Sequence, residues 1–466
     1  MKKNNVLISC LLLLFPLAFT QEKPWSGASV DLSHGKLKVS DNKRFLVHED
    51  GIPFFYLGDT GWELFHRLNK EDTEKYLENR RSKGFTVIQA VILAELDGLN
   101  VPNAEGNKPL IDNDPLKPNE AYFKHVDWVI KTAAGKGIYI GLLPTWGDKL
   151  VNEKGKGPMV LSSDNAFQYG KWLGNRYKDY PNIIWINGGD RQGGNSNYEI
   201  WNSLGEGIKS VDKNHLMTFH PTGEKSSSFW FHNSDWLDFN MAQTGHGQRS
   251  YSIYKRIIVN DYNLRPTKPC IDGEPRYEDH PVGWNPEVLG WFNHEDVRQA
   301  LYWNLFSGSF GHTYGCHPIW QMKTLERAAV GFARNNWFDV IDLPGAFDLI
   351  HARRLLESRP FLSRIPDQDL IVTSFYPETD YVVATRGDGY AFVYFPTGWS
   401  AEIVLGRIGA KTITAYWFDP RKGTSEMIGT YPGDTNVKFN TPTKGRGNDW
   451  ILVLDDESKH FKAPGS

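Results

Sequence analysis

Apolar residues recur along this chain in two alternating rhythms. Short, nearly continuous apolar runs alternate with longer stretches in which apolar positions return every three or four residues. The first rhythm predicts strands buried on both faces, the second amphipathic helices. Eight runs qualify as strands: 53–58, 86–93, 138–143, 182–186, 216–220, 237–241, 269–272 and 309–314. Helical stretches are predicted at 70–83 behind an Asn69 cap, at 119–135, at 165–178 behind an Asp164 cap, and at 197–210, 252–262, 295–306 and 324–338. Strands that alternate with helices of this length form parallel βα units, and eight in succession close into a barrel. A hairpin over 35–47 precedes the barrel, with Leu37, Val39, Phe45 and Val47 alternating around a Ser40-Asp41-Asn42 turn.

Near Arg359 the texture changes. A helix over 351–358 leads into short alternating strands at 371–375, 381–385, 390–395, 413–418, 436–439 and 450–454, separated by Gly and Pro turns, the pattern of an antiparallel sandwich. The expected architecture is therefore a (β/α)8 TIM barrel followed by a C-terminal antiparallel β-sandwich. The expected divisions are 1–20 as a leader, 21–358 as the barrel with its N-terminal hairpin, and 359–466 as the sandwich.

The leader follows from Lys2 and Lys3, an apolar run over 6–19 too short to span a membrane well, and small residues before Gln21. It places the mature chain in the periplasm or outside the cell. No later segment reads as a membrane span. The formal charge of −3 offers no basic face for nucleic acid. Of three cysteines, Cys10 falls in the leader. Cys270 and Cys316 form either one disulfide or two buried thiols. No Cys-x-x-Cys exists, so a zinc ribbon or dithiol site is excluded. Aromatic residues reach 14%, with 17 Trp and 20 Tyr, enough to fill a core and still present flat rings to sugar faces.

In such a barrel the active site lies where the strands end. The eight strand ends supply Asp59, Trp62 and Glu63; Gln89, with Glu95 and Asp97 in the loop beyond; Trp146; Asn187 and Asp190; His220; Gln243 and His246; Asp272, Glu274 and Glu278; His312 and Tyr314. A ring of hydrogen-bonding groups set among Trp faces suits a sugar. Glycoside hydrolysis usually takes two carboxylates, one donating a proton to the leaving oxygen, the other attacking the anomeric carbon or activating water. Asp190 and Glu274 end strands four and seven, which face one another across a barrel mouth. Gly188 and Gly189 would leave room for close approach to substrate. Each has a structural alternative: Asp190 could cap a helix or pair with Arg191, and Glu274 could pair with Arg276. Glu278 is a rival nucleophile, Asp272 a buried partner. Thr60-x-x-Glu63 fits a capping box, and Asp59 either contacts substrate or holds its loop. The substrate-binding candidates are Asp59, Trp62, Gln89, Trp146, Asn187, His220, Gln243, His246, His312 and Tyr314. His294-Glu295 lacks the second His of a zinc-protease helix, and His312, Cys316 and His317 are too few to argue for zinc, so no metal or other cofactor is expected.

The runs Leu57-Gly58-Asp59-Thr60-Gly61-Trp62-Glu63-Leu64-Phe65, Ile184-Trp185-Ile186-Asn187-Gly188-Gly189-Asp190 and Asp272-Gly273-Glu274-Pro275-Arg276-Tyr277-Glu278 resemble glycoside hydrolase family 140. The likeness extends through the C-terminal sandwich, which in such proteins carries a collagen-binding label. The resemblance implies an apiosidase acting on side chains of the pectin rhamnogalacturonan-II, with Asp190 as acid/base and Glu274 as nucleophile. Related barrel hydrolases end strand four in Asn-Glu. Here it ends Asn187-Gly188-Gly189-Asp190, one methylene shorter at the acid, so the choice between retention and inversion rests on a carboxylate gap that a sequence does not show; retention is the expectation. Three other readings stand beside it: another glycosidase on plant glycans, a non-catalytic glycan- or collagen-binding protein, and a peptidase. Both carboxylates being present argues against the second, and the missing metal motif and nucleophile–base pair against the third.

Overall fold

The structure, a computed structural model, describes residues 29–372 and 376–466. The expected leader and the end of the expected strand 371–375 lie outside them. All eight barrel strands form: β1 (Tyr56–Thr60), β2 (Val87–Leu93), β3 (Tyr139–Thr145), β4 (Ile183–Gly188), β5 (Met217–His220), β6 (Asn240–Gln243), β7 (Cys270–Asp272) and β8 (Gly311–Tyr314). They run parallel in the order β5-β4-β3-β2-β1-β8-β7-β6. The ends of this sheet meet between β5 and β6. There the Asp238 N–H donates to the Met217 carbonyl at 2.8 Å, and the Met217 N–H donates to the Asp238 carboxylate at 2.7 Å. The result is a TIM barrel. A two-residue strand, Lys225–Ser226, runs antiparallel along β6 and carries Glu224 to the barrel mouth.

The helices between strands are α1 (Lys70–Ser82), α2 (Glu120–Gly135), α3 (Ser163–Tyr177), α4 (Tyr198–Val211), α5 (Ser252–Asn263) and α6 (His294–Phe306). Asn69 caps α1 by accepting from the Asp72 N–H at 2.8 Å, satisfying one of the donors that open every helix. Ser162, not Asp164, caps α3, in a reciprocal box with Asn165. The helix expected over 324–338 does not form. This segment runs through turns, with Gly331 and Phe332 left-handed. Arg327 binds the carbonyls of Met322 and Arg67, and His317 binds the carbonyl of Gly331. Tertiary partners thus override a helical pattern, and the segment is drawn across the barrel mouth. The helix that leads out is α7 (Pro344–Glu357), longer than the expected 351–358.

The hairpin pairs Leu37–Val39 with Leu46–His48, and Pro53–Phe54 adds a third strand. The expected strand 53–58 therefore splits between this sheet and β1. The sandwich contains β9 (Val383–Gly387), β10 (Tyr390–Phe395), β11 (Ser400–Val404), β12 (Thr412–Asp419), β13 (Thr424–Pro432), β14 (Asn436–Asn440) and β15 (Trp450–Asp456). One antiparallel sheet runs β9-β10-β15-β12-β13 behind the short Ile365–Pro366 strand, and β11 pairs with β14. β11 and β13 were not expected; most of β13 is exposed, so it carries no apolar alternation to read. Phe392, Tyr394 and Val453 belong to the same buried cluster as the barrel core. Tyr302 stacks on Tyr394 at 4.8 Å and Tyr251 on Tyr381 at 4.0 Å. Cys270 and Cys316 are buried free thiols.

Candidate active site

The strand ends open into a cleft of about 440 Å³, lined by Trp62, Glu95, Trp146, Asp190, Glu224, Gln243, His246, Glu274, Tyr277, His280, Trp284, Trp320 and Val330 with several glycines. Asp190 and Glu274 meet there, as the strand-end rule predicts.

Asp190 sits in left-handed backbone, φ +53°, a conformation that Asp tolerates better than most residues. That twist turns its N–H toward His220 Nδ1 at 3.3 Å. Gly188 and Gly189 also have positive φ. A Cβ on Gly188 would lie 2.3 Å from the His220 carbonyl oxygen, and one on Gly189 would lie 2.9 Å from the Gly147 nitrogen. These glycines therefore serve the approach of neighbouring backbone, not of substrate as expected from sequence. The Asp190 carboxyl is enclosed on most sides, though 37% of the side chain is reachable through the cleft. Burial, then the charge of Glu274, raises its pKa, while His220, Arg191 and a hydrogen bond from Gln243 pull the other way. Arg191 Nη1 donates to Oδ2 at 3.4 Å, so the pairing named from the sequence does form, as a long contact whose pull on the pKa does not outweigh burial.

Glu274 is poised oppositely. His220 accepts at Nδ1, so its hydrogen is on Nε2, which lies 2.9 Å from Glu274 Oε2, though not aligned for a straight hydrogen bond. His246 Nε2 donates to Oε1 at 3.1 Å. Burial alone would raise the Glu274 pKa. The two imidazoles outweigh it and hold the carboxyl below the ordinary carboxylate range. Tyr277 takes a hydrogen bond from Trp62 Nε1 at 3.1 Å and is itself hydrogen-bonded to Glu274. Arg276 binds the Gln248 carbonyl and Gln299 instead, so the expected rival pairing with Glu274 does not occur.

The other candidates divide. Trp62, Trp146, Gln243 and His246 line the cleft, and His220 stands directly behind both carboxylates. The remaining five turn inward. Asp59 is fully buried against Tyr76 and the Arg80 guanidinium, both at 2.6 Å. Gln89 accepts from Tyr56 and donates to the Gly273 carbonyl at 2.8 Å, fixing the backbone just before Glu274. Asn187 donates to the Trp201 carbonyl at 2.7 Å. His312 meets Asn304 at 3.0 Å, and burial drops its pKa to about 3. Tyr314 donates to Glu278 at 2.6 Å, which removes both from substrate contact. Glu278 is thereby buried, its pKa pushed up by burial to about 7. Asp272 accepts from Thr244 Oγ1 at 2.6 Å. Glu63 is itself the N-cap of the short helix Leu64–Arg67 and pairs with His66 at 2.7 Å, so the expected capping box with Thr60 is absent.

Sequence reasoning passed over Tyr277, His280, Trp284, Trp320 and Glu224, and left Glu95 unassigned. Trp284 is half exposed at the rim and meets the His280 ring edge-on at 4.5 Å, a face on which a sugar ring can stack. Its loop has no strand-end signal. Among the described residues no group of three or more His, Cys, Asp or Glu is placed to hold a metal ion, and no helix is long and apolar enough to cross a membrane.

Comparison with known proteins places the whole chain. A family model described as "Apiosidase-like, catalytic domain" matches residues 40–363, and one described as "Putative collagen-binding domain of a collagenase" matches residues 365–455. A crystal structure of a glycoside hydrolase family 5 protein from Bacteroides vulgatus is similar at 34% identity and a TM-score of 0.88, over 94% of this chain and 96% of that one. A second structure, titled "Glycoside hydrolase", is similar at 36% identity and a TM-score of 0.86, over 93% and 99%. No curated protein matches.

Proposed function

Because the chain belongs to the apiosidase-like family and is a glycoside hydrolase, we propose that it cleaves apiosyl linkages in side chains of the pectin rhamnogalacturonan-II by a retaining two-carboxylate mechanism. One feature of the cleft supports the two roles: Asp190 and Glu274 share it, and their pKa values are pushed apart, Glu274 downward by His220 and His246, Asp190 upward by burial and then by the charge of Glu274; retention is carried over from the sequence. In the first step Glu274 attacks the anomeric carbon as Asp190 gives its proton to the leaving oxygen. In the second, Asp190 takes a proton from water, whose oxygen displaces Glu274 from the sugar. Neutralising Glu274 in the covalent intermediate lowers the Asp190 pKa, which readies it to act as a base. The apiosyl specificity rests on family membership and on the sequence resemblance, and the basic and apolar residues over 2–19 support export. The collagen-binding description of the second family does not suit a domain whose face is spent on the barrel; we read the sandwich as a brace.

The test is activity of the mature chain on rhamnogalacturonan-II oligosaccharides beside Asp190→Asn and Glu274→Gln. Both variants should lose about a thousandfold or more, and NMR of the first-formed sugar should show the starting anomer. Near-wild-type rates in both variants would remove these residues from the mechanism, and an inverted first product would make Glu274 a base that activates water. Release of a sugar other than apiose would correct the substrate and leave the two carboxyl roles intact.

A further inference from the structure

The cleft holds a third carboxyl that the two-carboxylate mechanism does not use. Glu95 follows β2 by two residues, at the start of a long loop that turns through left-handed Leu96 and Asp97. It lines the cleft with Trp62, Trp146, Asp190, Gln243 and Glu274. Its position is unlike that of any acid around it. Behind it, Glu63 is compensated by His66 and Arg67, and Asp148 by Lys149 at 3.1 Å. Across the cleft, Glu274 has two imidazoles, and Asp190 has Gln243 and the edge of Arg191. Glu95 has none of these: among the described residues nothing hydrogen-bonds or ion-pairs with it. Among the described residues no Lys or Arg lines the cleft. Four acids, Glu63, Asp148, Asp190 and Glu274, raise its pKa in addition to burial, which is the larger effect. A half-buried carboxyl without a partner is costly unless a ligand supplies one, and a protonated carboxyl is both donor and acceptor.

We propose that Glu95 is a substrate-binding residue that acts as an uncharged carboxyl, donating one hydrogen bond to an oxygen of a neutral sugar seated between Trp62, Trp146 and the Asp190–Glu274 pair. This rests on the reading of that pair as the catalytic carboxylates, and it defines the sugar further. A uronate in the same subsite would set a second negative charge beside ionised Glu274, so the subsite selects uncharged sugars.

The experiment compares Glu95→Gln with Glu95→Met on whichever glycoside the wild type turns over. The two replacements match in length and lack charge, and only Gln keeps an N–H donor. Gln should stay within about tenfold of wild-type kcat/KM, whereas Met should lose about 30- to 100-fold, the range expected when a buried substrate oxygen is left unpaired. Thermal melts show whether each variant is folded. If Glu95→Gln is as inactive as Glu274→Gln, Glu95 works as a charged reagent and the proposal falls. If Met and Gln are equally active, Glu95 donates nothing to substrate and the proposal falls. Should Met fail to fold, the Gln variant alone decides, through its rate relative to Glu274→Gln. Failure of the underlying mechanism shows elsewhere, in active Asp190→Asn and Glu274→Gln enzymes.

Discussion

Two regions of this molecule treat their buried carboxylates in opposite ways. Along the seam between barrel and sandwich, each has an arginine. Arg298 holds Asp348 at 2.5 Å and Asp449 at 2.7 Å, and Arg359 holds Asp455 through two bonds, at 2.8 and 2.6 Å. In the cleft, Asp190, Glu274 and Glu95 have imidazoles, an amide, open space and each other, with Arg191 touching Asp190 only at 3.4 Å. Close pairing with a permanent cation fixes a carboxylate in its charged form and makes it a strut. Leaving it chiefly among neutral groups allows its proton to be gained or lost, which is what acid–base chemistry needs.

The contrast breaks most visibly if the cleft acids are neutralised. Asp190→Asn should remove about a thousandfold or more of the activity while leaving the protein at least as stable. The sign follows from the raised Asp190 pKa. A carboxyl whose folded pKa lies above its unfolded value costs nothing at acidic pH, where both states are protonated. Its cost grows as pH rises through the ordinary carboxylate range and levels off above the folded value. Melting temperatures of variant and wild type should therefore agree near pH 4 and diverge in favour of the variant near pH 7. A variant that melts lower at pH 7 would show that the Asp190 charge stabilises the fold.

The seam should answer in reverse. Arg298→Met leaves Asp449 buried without a cation and Asp348 with only His294 at 3.4 Å, a change that costs about 3–5 kcal/mol. Urea unfolding should register that loss, and kcat of the folded fraction should stay close to wild type. Adding Asp449→Asn should restore part of the stability, since Tyr394 can still bond to the amide that replaces the carboxylate it now meets at 3.2 Å. No recovery would mean that Arg298 acts through its packing instead of its charge.

The same contrast explains how far the sequence could be read. Eight apolar runs located the barrel, because strands buried on both faces leave a signal that little else imitates. The strand-end rule then brought out Asp190 and Glu274. It failed at Asp59, Gln89, Asn187, His312 and Tyr314, which also end strands. Whether a polar group faces substrate depends on whether the interior supplies a partner. The partners of Asp59 and Tyr314, Arg80 and Glu278, come from a later helix and a different strand end, at no spacing that a pattern reveals. Glu95 was hidden for the converse reason: a loop residue that departs from every local motif shows its role only through the absence of partners. The helix expected over 324–338 failed because His317 and Gln321 bind the backbone of Gly331 and Val330 and the Arg327 side chain is spent on the carbonyls of Arg67 and Met322.

The finest test concerns the two imidazoles at Glu274. They hold its pKa below the ordinary range, so the enzyme should keep its nucleophile ionised, and its kcat/KM high, well into acid. Asp190 must be protonated, and its raised pKa moves the alkaline limb upward from where an ordinary aspartate would place it. Each limb belongs to the coupled pair as a whole. His246→Leu removes the donor at 3.1 Å from Oε1 and leaves burial to act against less opposition, so the Glu274 pKa rises. The acidic limb of kcat/KM should move toward neutral pH by about one unit, given that a hydrogen bond to a charged group contributes about 1.5–3 kcal/mol and one unit is 1.36 kcal/mol. Glu274 is still charged in the pH range where Asp190 titrates, so the alkaline limb should stay in place. A variant slowed equally at every pH would mean that His246 only positions the sugar, and that His220 alone keeps Glu274 charged.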